Sequence, residues 1–165
     1  GLPVLGANEL ASRLDVDAAI VGIGDNSLRR VWFERLRGWG IPLVNAIHPS
    51  AIIAQGVALG QGTVVLGNVS INVEAQVGDN VILNTGAIVG HDCTVASHVH
   101  VGPGVILCGG VRIGEGAFLG AGAVVIPKQE VGAGSIIGAG TVVISSIPAG
   151  VVAVGNPARI LRPVS

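Results

Sequence analysis

Two of the four histidines carry the chemistry most readily read from this sequence: His91, within Gly90-His91-Asp92-Cys93, and His98, within Ser97-His98-Val99. An imidazole with an ordinary pKa near 6.5 can take a proton from an attacking amine or hydroxyl close to neutrality. Asp92, next in the chain, can stabilise the imidazolium that forms, so His91 is a candidate general base. His98 follows after a strand-length segment, which puts the two rings roughly 20 Å apart along one chain. They can serve one substrate only where two copies meet. Asn84, seven residues before His91, is open to two readings, a ligand contact or a residue that tolerates a left-handed turn.

These residues sit in a chain of unusual composition, with 27 glycines among 165 residues and only 2% aromatics. An ordinary aromatic-rich core is excluded. A net charge of -1 removes the basic field that nucleic-acid binding requires. Glycines interrupt the apolar runs before any reaches the roughly 18 residues that span a bilayer. Two cysteines, Cys93 and Cys108, make no disulfide framework, and the absence of a leader-like segment points to a reducing cytoplasm.

What positions the histidines is a repeat. Stepping by six from Ile47 to Val143, all seventeen positions are Ile, Leu or Val. The following residue is usually Gly or Asn, as at Gly60, Asn72, Asn84 and Gly90, and is expected to turn the corner at positive φ. Two residues before each aliphatic lies a second small or β-branched residue, with Gln129 the bulky exception; strand alternation turns both sets inward. Three such strands close a triangular coil of 18 residues, so residues 47–143 make between five and six coils. Such a stack stands roughly 25 Å tall.

The residue before each inward aliphatic points outward, and sorting by 18 gives three faces. Ile52, Ser70, Ile88, Ile106, Val124 and Val142 form one; Val64, Ile82, His100, Phe118 and Ile136 form another; the polar third carries Ala58, Gln76, Thr94, Arg112 and Glu130. Two apolar faces predict a homotrimer, the alternative being that helices of the same chain cover one of them. Corner side chains are expected to face outward. The column through His98 continues into Gly116 and Gly134, and another runs through Pro103, Ala121 and Ala139. Small residues there either expose backbone N–H groups to an extended ligand or merely permit tight turns.

Residues 1–46 differ: Asn8 to Leu14 and Ser27 to Gly38 read as helices, Ala18 to Ile23 and Pro42 to Ala46 as strands. This is the pattern of a partial α/β, Rossmann-like domain. Asp25 or Asn26 can cap the second helix, and Gly24-Asp25-Asn26 follows a strand either as a ligand loop would or as a plain turn. Residues 147–165 break the period and read as a cap on the open end, with phosphate binding by Arg159 or Arg162 the alternative.

The period-six array, Asn84 followed by His91-Asp92, the later His98, Ile47-His48-Pro49-Ser50-Ala51 and Gly155-Asn156-Pro157-Ala158 resemble the bacterial sugar O- and N-acyltransferases. That group includes sialic-acid O-acetyltransferases and N-acetyltransferases of nucleotide-linked 4-amino sugars. The resemblance implies a left-handed parallel β-helix and acetyl-CoA as donor, with no metal. It implies His91 as base with Asp92 as its acidic helper, Asn84 near the sugar amine, and His98 with the backbone at Ala121 and Ala139 holding acetyl-CoA. It also implies a nucleotide-sugar acceptor, for which the loop residues Gly24, Asp25 and Asn26 are the candidates, and the separation of His91 from His98 predicts active sites between subunits. Family members usually begin with a strand and a Gly-rich, His-containing loop, so residues 1–46 read as an incomplete nucleotide-binding unit. A zinc lyase of the carbonic-anhydrase type, on the same β-helix with His91, His98 and His100 as ligands, is the competing reading from another class.

Overall fold

The computed structural model describes Gly6 and residues 16–164. The period of six becomes a stack of two-residue strands, β1 (Ala46–Ile47) to β17 (Val142–Val143), each six residues after the last. They form three parallel sheets whose register steps by eighteen: Ile88 lies between Ser70 and Ile106, His100 between Ile82 and Phe118, and Arg112 between Thr94 and Glu130. The three faces expected from sorting by eighteen are these three sheets. The aliphatic every sixth residue is buried throughout the middle of the stack, with Leu83, Val101, Leu107 and Leu119 at 0% exposure. Each such side chain contributes about 2 kcal/mol through removal from water. Ile47, at the first coil, is 46% exposed because no coil among the described residues lies beneath it. The second inward set is buried as well, including Thr63, Cys93, Ser135 and Thr141, and Gln129 is half-buried.

The corners correct one expectation. Positive φ falls three residues after every inward aliphatic from Ile53 to Ile137, at Asn80, Asp92, His98 and Gly134 among others, and Asn84 and Gly90 do not adopt it. Glycine follows the aliphatic for a different reason, the approach of the next coil. A Cβ on Gly90 would lie 2.7 Å from the Cys108 carbonyl carbon, and one on Gly132 would lie 2.6 Å from Ala149 Cα. The period therefore contains two glycine-favouring positions, one for packing and one for conformation.

Before the stack, α1 (Asn26–Gly38) begins at Asp25, whose Oδ1 accepts the Leu28 N–H at 2.7 Å. Its inward face carries Arg29, Phe33 and Leu36, and Phe33 and Leu36 pack with Val21 and Leu43. The two expected strands reduce to one parallel bridge, Ala19 to Leu43, and Ala46 belongs to the first coil. The helix expected over Asn8 to Leu14 lies outside the described residues. At the other end, β18 (Val151–Val154) adds to β16 (Ile136–Ile137) in parallel, and β19 (Arg159–Pro163) folds back on it antiparallel. Arg159 and Arg162 are exposed and donate to the Ala158 and Pro163 carbonyls. Among the described residues no helix is long and apolar enough to cross a membrane.

Candidate active site

The stack has three corners, and the site residues divide among them. His91 and Asp92 lie where the chain leaves β8 (Ile88–Val89) for β9 (Thr94–Val95), joining an apolar to the polar sheet. His91 Nδ1 and Asp92 Oδ2 are 2.6 Å apart. A carboxylate only accepts, so Nδ1 carries the proton of the neutral ring and Nε2 keeps its lone pair, the arrangement a general base requires. Both side chains are 65% exposed. The ring rests on the next coil at Gly109, eighteen residues on, where any Cβ would collide with Nε2. Since the exposed ring can swing away, Gly109→Ala should leave the melting temperature within about 2 °C while lowering kcat about 10- to 100-fold by misplacing the base. Thermal melts alongside turnover measurements check this; unchanged turnover would show that the seat is irrelevant.

His98 occupies the second corner and does not face outward as corner side chains were expected to. Helix α1 covers it, leaving 6% exposure. Its Nδ1 is 2.9 Å from Asn80 Nδ2, and the Phe33 ring meets it edge-on at 5.6 Å. Burial, and then the nearby Arg30, push its pKa down, so the ring is neutral at pH 7. His98 lines an open cleft of about 520 Å³ with Asn26, Ser27, Arg30, Glu115 and Gly116, across which Arg30 and Glu115 pair at 2.7 Å.

Asn84, Ala121 and Ala139 share the third corner, between the two apolar sheets. Ala121 and Ala139 are exposed, and their amide N–H groups donate to no partner among the described residues. Asn84 Oδ1 accepts the Thr85 N–H at 2.8 Å, and its Nδ2 is 3.3 Å from His100 Nε2. His100 Nδ1 lies 3.2 Å from the Gly24 carbonyl oxygen, and Phe118 packs edge-on at 5.2 Å. Burial lowers the His100 pKa, opposed by the Gly24 carbonyl and reinforced by Arg29. The structure thus joins the Gly24 loop to Asn84 through His100, and leaves His91 and His98 each on a different corner.

The loop's own polar groups are largely engaged. Asn26 Nδ2 donates to the Gly116 and Ala117 carbonyls at 3.0 and 3.1 Å, and its Oδ1 accepts from Arg29 Nη2 at 2.8 Å. Arg29 is wholly buried and was absent from the sequence reading, although its spacing to Phe33 and Leu36 placed it on the inward helix face. Gly109 was missed too, although stacking by eighteen set it against His91. Zinc ligation by His91, His98 and His100 is not supported, because His91 stands on a different corner from His98 and His100 lies on a sheet face between Asn84 and the Gly24 carbonyl. Among the described residues no three His, Cys, Asp or Glu side chains are grouped to hold a metal.

Residues 110–145 match the family described as bacterial transferase hexapeptide (six repeats). Perosamine N-acetyltransferase from Caulobacter crescentus, solved as a histidine-to-asparagine variant with CoA and GDP-perosamine, is 44% identical; the match covers 98% of this chain and 78% of that one at a TM-score of 0.95. The acetyltransferase domain of PglB from Neisseria gonorrhoeae, solved with acetyl coenzyme A, is 37% identical over 98% of this chain and 80% of its own, at a TM-score of 0.94. WeeI from Acinetobacter baumannii is 30% identical over 96% and 78%, at a TM-score of 0.92.

Proposed function

The chain belongs to the hexapeptide-repeat family of bacterial sugar acetyltransferases, and from that premise we propose that His91 is the base by which it acetylates a nucleotide-linked amino sugar. The reaction is acetyl-CoA-dependent N-acetylation of a sugar, as for perosamine N-acetyltransferase. His91 Nε2 takes a proton from the amine as its nitrogen attacks the thioester carbonyl. Backbone N–H groups at a corner stabilise the oxyanion. Collapse of the tetrahedral intermediate expels the CoA thiolate, and the amide forms with no acyl-enzyme. The observation that carries this reading is the His91–Asp92 contact of 2.6 Å, which reserves Nε2 for the substrate.

Acetyl-CoA lies, on this reading, along the corner of Ala121 and Ala139, whose N–H groups have no partner among the described residues and suit an extended arm, with Asn84 beside the amine. His91 is on another corner, so a second protomer must bring its ring to that groove. An apolar sheet supports such an assembly, with Ile52 70%, Ile88 38% and Ile106 37% exposed. The other apolar sheet is partly covered by the chain's own Gly24 loop, where the alternative to a trimer had invoked helices. A homotrimer with intersubunit sites fits the exposed sheet, and the free Cys93 and Cys108 fit a reducing cytoplasm.

Thiol release from acetyl-CoA, tested with nucleotide-linked amino sugars and with sialic acid, distinguishes nitrogen from oxygen acceptors. The expected result is turnover with a nucleotide-linked amino sugar without added metal, by a species sedimenting as three copies. Turnover confined to sialic acid, or a monomer of full activity, would refute the reading.

A further inference from the structure

We infer that Arg29 is a positioning residue for the acyl-transfer site: through the Gly24 carbonyl that it shares with His100, it fixes the ring that holds Asn84. The inference rests on the reading of Asn84 as the residue beside the acceptor amine. Arg29 is 0% exposed, and its guanidinium donates to the carbonyls of Asn80, Ile23, Gly24, His98 and Val99 and to Asn26 Oδ1, at 2.8 to 3.3 Å. All these acceptors are neutral. Burial lowers its pKa to about 10, which Asp25 opposes, so it stays charged at pH 7. A guanidinium buried among dipoles is a costly way to join a helix to a β-stack, since Leu or Met would fill the same place beside Phe33 without the desolvation. What an apolar side chain cannot do is hold carbonyl groups in a set direction.

The carbonyl that matters is Gly24. Its oxygen accepts Arg29 Nη1 and His100 Nδ1, each at 3.2 Å. Because a carbonyl oxygen cannot donate, His100 must carry its proton on Nδ1, which leaves Nε2 to accept from Asn84 Nδ2 at 3.3 Å. The Asn84 amide is then fixed in turn, since its Oδ1 already accepts from Thr85 N. Arg29 also binds the carbonyls of His98 and Val99, the residues immediately before His100, and so grips both the ring's backbone and its hydrogen-bond partner. A relay thus runs from α1 through Gly24 and His100 to the corner of Ala121. Burial, and to a smaller extent the Arg29 charge, lower the His100 pKa, while the Gly24 carbonyl opposes them.

The test is 15N NMR of histidine-labelled whole protein, wild type against Arg29→Met and Arg29→Lys, with steady-state kinetics on the same samples. In the wild type, His100 is expected as the Nδ1–H tautomer. In Arg29→Met it should become a tautomer mixture, and kcat/KM for the nucleotide-linked amino sugar should fall about 10- to 100-fold while KM for acetyl-CoA stays within about twofold. A folded Arg29→Met variant with the wild-type tautomer and unchanged acceptor kinetics would overturn the inference. Should that variant not fold, Arg29→Lys keeps the charge but loses the fork and is expected to show the same two changes; wild-type behaviour there overturns it equally. His91→Ala measured alongside keeps the two ideas apart, because full activity in that variant removes the proposed base while the His100 tautomer still reports on Arg29.

Discussion

Replacing His91 with Ala should lower kcat by about 10² to 10⁴, equivalent to about 3 to 5.5 kcal/mol of lost transition-state stabilisation, with KM for acetyl-CoA nearly unchanged. Loss in kcat alone is expected because the proton transfer belongs to the chemical step and not to donor binding. The effect is separable from folding because the ring sits over Gly109 on an exposed corner. His91→Asn is the sharper variant: it retains a hydrogen-bonding group near Asp92 but has no nitrogen able to take a proton near neutrality, and it should be as inactive as the alanine. Rapid-mixing thiol release checks both. Turnover within about tenfold of wild type in either variant would remove His91 from the proton-transfer step.

The largest stability contrast is expected within a single turn. Gly132→Asn should destabilise the protein by about 3 kcal/mol, since its Cβ would overlap the backbone of Pro148 and Ala149 and the coils cannot separate without losing their ladder. For a chain of this length that lowers the melting temperature by about 6 to 12 °C. Gly134→Asn, two residues on, should cost about 1 kcal/mol or less. Gly134 has φ 65°, an added Cβ meets nothing within 4 Å, and Asn80 in the same column already adopts φ 55°. Equal losses at the two sites, read by thermal or denaturant melts, would contradict the separation of the two glycine positions.

That separation also shows where the sequence was legible. The three sheets, their register of eighteen and the identity of each outward face followed from the period because a residue's surroundings in a solenoid are set by its place in the repeat. The turn geometry was misassigned because glycine recurs at two positions for different causes, and residue type alone does not distinguish a packing constraint from a conformational one. Asn84 illustrates this: its conformation is ordinary, and its amide is occupied by Thr85 and His100. At the site, the His91–Asp92 pair was readable because its members are chain neighbours. The burial of His98 was not, since Phe33 and α1 reach it from more than sixty residues away. His100 likewise gains its meaning from a carbonyl 76 positions earlier. Composition could not reveal either, although the inward face of α1 did contain the signal for Arg29.

The measurement that bears most directly on the account is the fate of an isotopically labelled acetyl group. Wild-type protein is incubated with acetyl-CoA deuterated in the acetyl methyl and a nucleotide-linked amino sugar, then quenched and analysed by mass spectrometry. Direct transfer by His91 predicts label on the sugar nitrogen in proportion to the thiol released, with none on the protein at any time during turnover. Label accumulating on the chain, or thiol release at the same rate without the sugar, would contradict it.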